Sequence, residues 1–244
     1  MSNAPLDGIK VLDLSQGIAG PYCGTLLSRY GADVIKIEPP AGDWSRDVGN
    51  GAGGQSALSA VYNVGKRGMI LDLKQPTAVD LLLETSEQCD VVLESSRPGV
   101  ADRLGIGYAD LKARNPRIVY LSISGFGETG PYAGRPCTDT VGQAFSGLMS
   151  NNHGMDGIPH KIDIPIVDIF TGLYAFQSVS MALMACQQTG EGRFCDVSLM
   201  GSIAEVQSAK MIDYHLEGGP PKTLNAPAGA FMTSNGYMAL TTIN

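Results

Sequence analysis

Gly8-Ile-Lys-Val-Leu-Asp-Leu14, the loop Ser15-Gln-Gly-Ile-Ala-Gly-Pro21 and, a helical stretch later, Asp33-Val-Ile-Lys-Ile-Glu38 decide the architecture. The first and last alternate and are rich in β-branched residues, the pattern of strands. Between them a helix is expected from about Tyr22 to Tyr30, with Pro21 suited to the first helical position and Gly31 to the C-terminal cap.

Strand, glycine-bearing loop, helix and strand make a βαβ unit of Rossmann-like appearance. The dinucleotide fingerprint is incomplete, since Gly17 and Gly20 supply two of its three glycines and Glu38 alone supplies the acidic residue. A nicotinamide cofactor is therefore not indicated, although a phosphate at the helix N-terminus would be physically reasonable. Working outward, further strands are expected over 69–73, 90–94, 117–123 and 192–199, with helices over 56–63, 76–88, 140–149 and 200–216. The alternation implies a parallel sheet with helices on its faces, an α/β fold. Residues 218–229 read as a Pro/Gly-rich linker. The strand over 236–244 stops in mid-pattern, so the natural protein is expected to continue past Asn244.

The composition is that of an ordinary globular chain: 244 residues, 43% hydrophobic and 17% charged. A net charge of −7 argues against nucleic acid or an anionic membrane surface as partner. Five scattered cysteines form no C-x-x-C pair and the three histidines have no ligand spacing, so no metal is expected and a reducing, cytoplasmic setting fits. The N-terminus has no basic and apolar leader pattern, and no run reads as long enough to cross a bilayer.

One carboxylate stands out. In Ile164-Pro-Ile-Val-Asp-Ile-Phe-Thr-Gly-Leu-Tyr-Ala-Phe176, Asp168 precedes an apolar helix expected over 169–187. Two roles suit it: N-cap of that helix, or a rigid, poorly solvated nucleophile toward a carbonyl. Lys66, Arg67, Lys74, Arg97 and Arg103 lie near strand ends, and their convergence at the carboxyl edge of a sheet would suit a phosphorylated ligand. Lesser candidates are Asp139 (helix cap or site residue), Cys137, Tyr132, Asp163, and His153 and His160 flanking Asp156.

Five further segments bring a resemblance into view. They are Leu6–Leu14; Ala19-Gly-Pro21 with Gly31–Glu38; Gly65-Lys-Arg67 with Leu71-Asp-Leu-Lys74; Arg97-Pro-Gly99 with Arg103-Leu-Gly105; and Gly125-Phe-Gly-Glu-Thr-Gly-Pro131 running to Asp139 and Gln143. With Val167-Asp-Ile-Phe-Thr-Gly172 they resemble, in order and from Pro5 to Asn244, the family III (CaiB/BaiF-type) CoA-transferases. The resemblance implies a large Rossmann-like CoA-binding domain over 5–217. Residues 218–244 would be a linker and the beginning of a smaller domain whose remainder is missing, in an interlocked homodimer. It implies coenzyme A and acyl-CoA as substrates, with a carboxylate acceptor and no tightly bound cofactor. Asp168 would be the nucleophile, passing through an aspartyl-acyl anhydride and an aspartyl-CoA thioester. Arg97 and Arg103 would contact CoA phosphates, with Lys74 and Leu71 near the adenine and Ile18 also in the CoA-binding set.

The departures bear on the reaction. Thr138 stands where the racemase branch carries a catalytic His, which argues against an acyl-CoA racemase. Ile18 stands where formyl-CoA transferases carry an active-site Gln, and Pro39 where some relatives carry an Arg. Ser95-Ser96 replaces Asn-Phe. A non-catalytic CoA-binding module is the reading from another class.

Overall fold

The computed structural model describes residues 4–49, 51–154, 157–220 and 227–242. Asp156, residues 221–226 of the expected linker and the last two residues of the expected final strand lie outside them. The strands are β1 Lys10–Asp13, β2 Asp33–Glu38, β3 Arg67–Ile70, β4 Val91–Glu94, β5 Val119–Ser124, β6 Phe194–Ser198, β7 Gly229–Thr233 and β8 Gly236–Leu240. The helices are α1 Ala19–Arg29, α2 Ala57–Tyr62, α3 Pro76–Ser86, α4 Val100–Arg103, α5 Tyr108–Arg114, α6 Asp139–Phe145, α7 Leu148–Asn151, α8 Ile166–Thr189, α9 Leu199–Val206 and α10 Ser208–Glu217. A 3-10 turn spans Trp44–Asp47.

The first six strands form one parallel sheet in the order β3-β2-β1-β4-β5-β6. β4 and β5 are buried along their whole length, as strands covered on both faces should be. Successive residues point to opposite faces, so each strand feeds two cores. Val11, Val91, Leu93, Val119 and Leu121 pack with Leu27 of α1 and Ala175 and Val179 of α8. Leu12, Val92 and Tyr120 pack on the other side with Leu82 of α3 and Leu111 of α5. By compactness the chain divides into Met1–Glu205 and Val206–Asn244. The later unit holds α10 and an antiparallel β7–β8 hairpin closed between Thr233 and Gly236.

Several local expectations change. α8 begins at Ile166, immediately after Pro165, so Asp168 lies inside the first turn and is not the N-cap. The expected helix over 200–216 is broken at Gln207 into α9 and α10. α4, α5 and β7 fall where the pattern was read as loop or linker, because four- to seven-residue elements carry too few turns to show periodicity. α8 is, contrary to the reading above, long and apolar enough by composition to cross a membrane. Its Val167, Ala175, Val179, Ala182 and Leu183 are instead part of the core beneath the sheet.

Candidate active site

In a sheet of this order, the crevice beyond the carboxyl ends of β1 and β4 is where the connections diverge and ligands bind. A cavity of about 460 Å³ occupies that place, lined by Leu14 and Gln16 after β1, Ser95 to Pro98 after β4, and Ser124 and Gly125 at the end of β5. Ile18, Arg97, Arg135, Asp139 and Asp168 also line it.

Asp168 reaches this cavity because two glycines let α8 sit deep. A Cβ on Gly172 would lie 2.8 Å from the Ala19 carbonyl oxygen, so only glycine allows this approach of α8 to α1. A Cβ on Gly142 would lie 2.9 Å from Val167, which brings α6 equally close. Asp168 is one turn before Gly172 on the same face of α8 and is thereby set beside the start of α1. Gly172→Ala is accordingly expected to shift α8 and lower turnover by at least about tenfold, with a stability loss of roughly 1–3 kcal/mol. Parallel thermal melts and initial rates check it; unchanged kinetics would mean that α8 relaxes without moving Asp168.

The first turn of α8 is capped from another helix. Asp139 Oδ2 accepts from the Val167 amide at 2.8 Å and the Asp168 amide at 3.3 Å. Its Oδ1 accepts from Gln143 Nε2 at 2.6 Å. Gln143, fully buried, also binds the Ile162 backbone through both side-chain ends and so fixes the approach to α8. Asp139 does not cap its own helix; the Thr138 hydroxyl does, accepting from the Val141 amide at 3.5 Å. The two capping roles weighed for Asp168 and Asp139 are thus both displaced. Asp168 is left with no hydrogen bond to its carboxylate among the described residues. Burial, with the Asp139 carboxylate nearby, pushes its pKa up to about 7.

The Gly17 amide of the loop before α1 is already taken: the Asp43 carboxylate accepts from it at 3.0 Å and from the Ser45 amide, and pairs with Lys36 at 3.0 Å. Glu38, the acidic residue of the partial fingerprint, is engaged bidentately by Arg46, whose guanidinium holds the carboxyl below its ordinary range. Gly17 has φ +85°, and a Cβ there would lie 2.2 Å from the Trp44 ring, so only glycine fits at this turn. Beneath it Lys66 reaches Asp13 at 2.7 Å, both side chains essentially inaccessible. Burial alone would raise the Asp13 carboxyl, but Lys66 and Lys36 bring it below its ordinary value.

Lys66 and Arg67 therefore leave the cationic group read from the sequence, the first by pairing with Asp13 and the second with Asp33 on the amino side of the sheet. Ile18, Arg97 and Asp168 come together on one cavity, whereas Arg103, Lys74 and Leu71 do not line it. Arg97 lies in the loop after β4 and Arg103 ends the α4 that follows, and Leu71 and Lys74 follow β3, along the same carboxyl edge. Asp163 is exposed, with Lys161 3.4 Å away, and His153 and His160 are exposed outside the cavity. Cys137 lines it, but burial lifts its thiol to about 11, leaving it protonated and unreactive. Sequence reasoning missed Arg135, the other cation on the cavity; its position in a Gly/Pro-rich loop gives no periodic signal. It also missed the capping of α8 by Asp139, a contact between residues far apart in the chain.

The sequence profile described as CoA-transferase family III matches residues 6–244. A succinate–glutarate CoA-transferase of Agrobacterium fabrum is 36% identical over 97% of this chain and 62% of its own length. An acetyl-CoA:oxalate CoA-transferase of Acetobacter aceti is 41% identical over 85% of this chain and 54% of its own. A CaiB/BaiF family protein of Brucella suis superposes with a TM-score of 0.88 at 37% identity, over 97% of this chain and 65% of that one. The chain therefore spans between half and two thirds of the length of these relatives. The match is nonetheless continuous over almost every residue present, and the chain belongs to CoA-transferase family III.

Proposed function

We propose that the protein moves coenzyme A from an acyl-CoA donor to an organic carboxylate, with Asp168 as nucleophile. The observation that carries the reading is a carboxylate whose helix-capping work is done by Asp139, left unbonded on the switch-point cavity. The Asp168 carboxylate attacks the thioester carbonyl, the C–S bond breaks, and CoA departs as thiolate with the electron pair. That thiolate attacks the aspartyl carbonyl of the mixed anhydride, releasing the donor carboxylate and leaving an aspartyl-CoA thioester. The acceptor carboxylate then displaces CoA thiolate, which in turn attacks the acceptor carbonyl and frees Asp168. No proton or electron needs an outside source.

The tetrahedral oxyanions need donors. The amides of Ile18, Ala19 and Gly20, at the start of α1 and on the cavity, have no acceptor among the described residues and are suited to that task. Arg97 and Arg103 are assigned to CoA phosphates, and Leu71 and Lys74 to the adenine end. On this reading residues 5–217 belong to a large CoA-binding domain and 218–244 lead into a smaller one, within an interlocked homodimer in the cytoplasm. A stable monomer in light scattering would count against that assembly. No histidine lines the cavity among the described residues, and the Thr138 hydroxyl is spent on α6, so the racemase alternative lacks its base.

Only ionised Asp168 attacks. The rate of acyl-CoA consumption is therefore expected to rise through a single ionisation near pH 7 and level off above it. Asp139→Asn removes the neighbouring negative charge while keeping an acceptor oxygen, so the midpoint should move to lower pH. A wild-type profile flat from pH 5 to 8, or a midpoint unmoved in Asp139→Asn, would contradict the assignment. CoA exchange between succinyl-CoA and glutarate, followed chromatographically, tests the activity itself. Retained CoA binding without exchange would favour a non-catalytic binding module.

A further inference from the structure

Resting on the transferase reading above, we propose that Arg135 anchors the second carboxylate of a dicarboxylate substrate, so that the natural substrates are dicarboxylic acids and their mono-CoA thioesters. Two cationic side chains line the cavity, Arg97 and Arg135, and two carboxylates, Asp139 and Asp168. Arg46, Arg67 and Arg114 are each ion-paired to a carboxylate. Neither Arg97 nor Arg135 has such a partner among the described residues. Arg97 shortly precedes α4 and Arg103 in sequence, and on the transferase reading it is assigned to the phosphates of CoA. That leaves Arg135 with an unmatched charge on the cavity of the nucleophile.

Its placement is prepared. The guanidinium carbon stacks 4.6 Å from the Tyr132 ring centroid. Tyr132 is one of three mutually packed rings, with Phe126 at 5.5 Å and Phe145 at 5.2 Å. The Arg135 amide donates to the Tyr132 carbonyl at 2.8 Å, and Pro136 follows. Stacking orders the planar group while leaving its hydrogen-bonding edge free, the state suited to bidentate carboxylate recognition. Four residues on is Asp139, whose carboxylate binds the Asp168 amide, so the anchor and the nucleophile are tied to one short segment.

Charge gives the same answer. A free carboxylate entering beside Asp139 and Asp168 is repelled unless a cation meets it. An aliphatic monocarboxylate, by contrast, leaves Arg135 facing an apolar chain and gains nothing from it.

The test compares two acceptors of equal length, glutarate and valerate, with succinyl-CoA as donor. Wild type is first shown to form the Asp168–CoA thioester from succinyl-CoA. Wild type should then prefer glutarate, and Arg135→Gln should lower the glutarate-to-valerate ratio of kcat/KM by about 10- to 100-fold. Arg135→Lys, which keeps the charge without the fork, should restore part of that ratio. An unchanged ratio in Arg135→Gln, whether or not both rates fall, overturns the proposal while leaving the transferase reading intact. No Asp168 adduct in wild type overturns both.

Discussion

Asp168→Asn should lose about 10³-fold or more of CoA-transfer activity while melting at a higher temperature than wild type above pH 7. The two effects have one origin. Folding raises the pKa of Asp168 from an ordinary carboxylate value to about 7, so the folded state holds its proton more tightly than the unfolded state. Stability from that proton is fully present below about pH 4, and is lost as pH rises through the folded value near 7. Above pH 7 the ionised carboxylate in its walled cavity costs stability that a neutral amide of the same shape does not. The gain in Asp168→Asn should be of the order of 2–4 kcal/mol at pH 8 and should vanish toward pH 4. Thermal melts at the two pH values check it. A helix cap would give the opposite sign at pH 8, because removing it destabilises. Greater stability with lost activity is the mark of a group retained for chemistry.

The largest loss of stability is expected at the buried ion pair under the glycine loop. Lys66 donates to Asp13, to the Pro21 carbonyl and to Asn63 Oδ1, all within 3.1 Å. Lys66→Met fills similar space but leaves Asp13, fully buried, without its nearest counter-charge. The expected cost is about 3–5 kcal/mol in chemical denaturation. Adding Asp13→Asn removes the stranded charge and keeps an oxygen for the Ser15 amide, now bound to Oδ1 at 3.0 Å. The double variant should recover at least about half of the loss. Equal losses in single and double variants would mean that Lys66 stabilises by packing rather than by charge.

The sheet was legible because parallel strands leave a dense apolar signature: Val91-Val-Leu93 and Val119–Ile123 can hardly be anything else. Asp168 was visible for the complementary reason, a charge within an apolar run. What could not be read were contacts between residues distant in sequence. Asp139 looked like a local cap because Asp before a helical pattern ordinarily is one. Its actual acceptor work, on amides 28 and 29 residues away, follows from the depth to which Gly142 and Gly172 let α8 sink. Lys66 and Arg67 looked alike, yet one turns inward to Asp13 and the other outward to Asp33. No pattern of single residues distinguishes those fates. Short elements such as α4 and α5 escaped because a turn or two of helix carries no period.

The claim that matters most is that Asp168 becomes covalently bonded during turnover. The decisive measurement is mass spectrometry of the protein after incubation with succinyl-CoA, with and without hydroxylamine. A CoA-sized adduct that hydroxylamine converts to a hydroxamate on the peptide carrying Asp168, absent from Asp168→Asn, is the predicted result. An unmodified Asp168 peptide with several acyl-CoAs, in a protein that still binds coenzyme A, would contradict it.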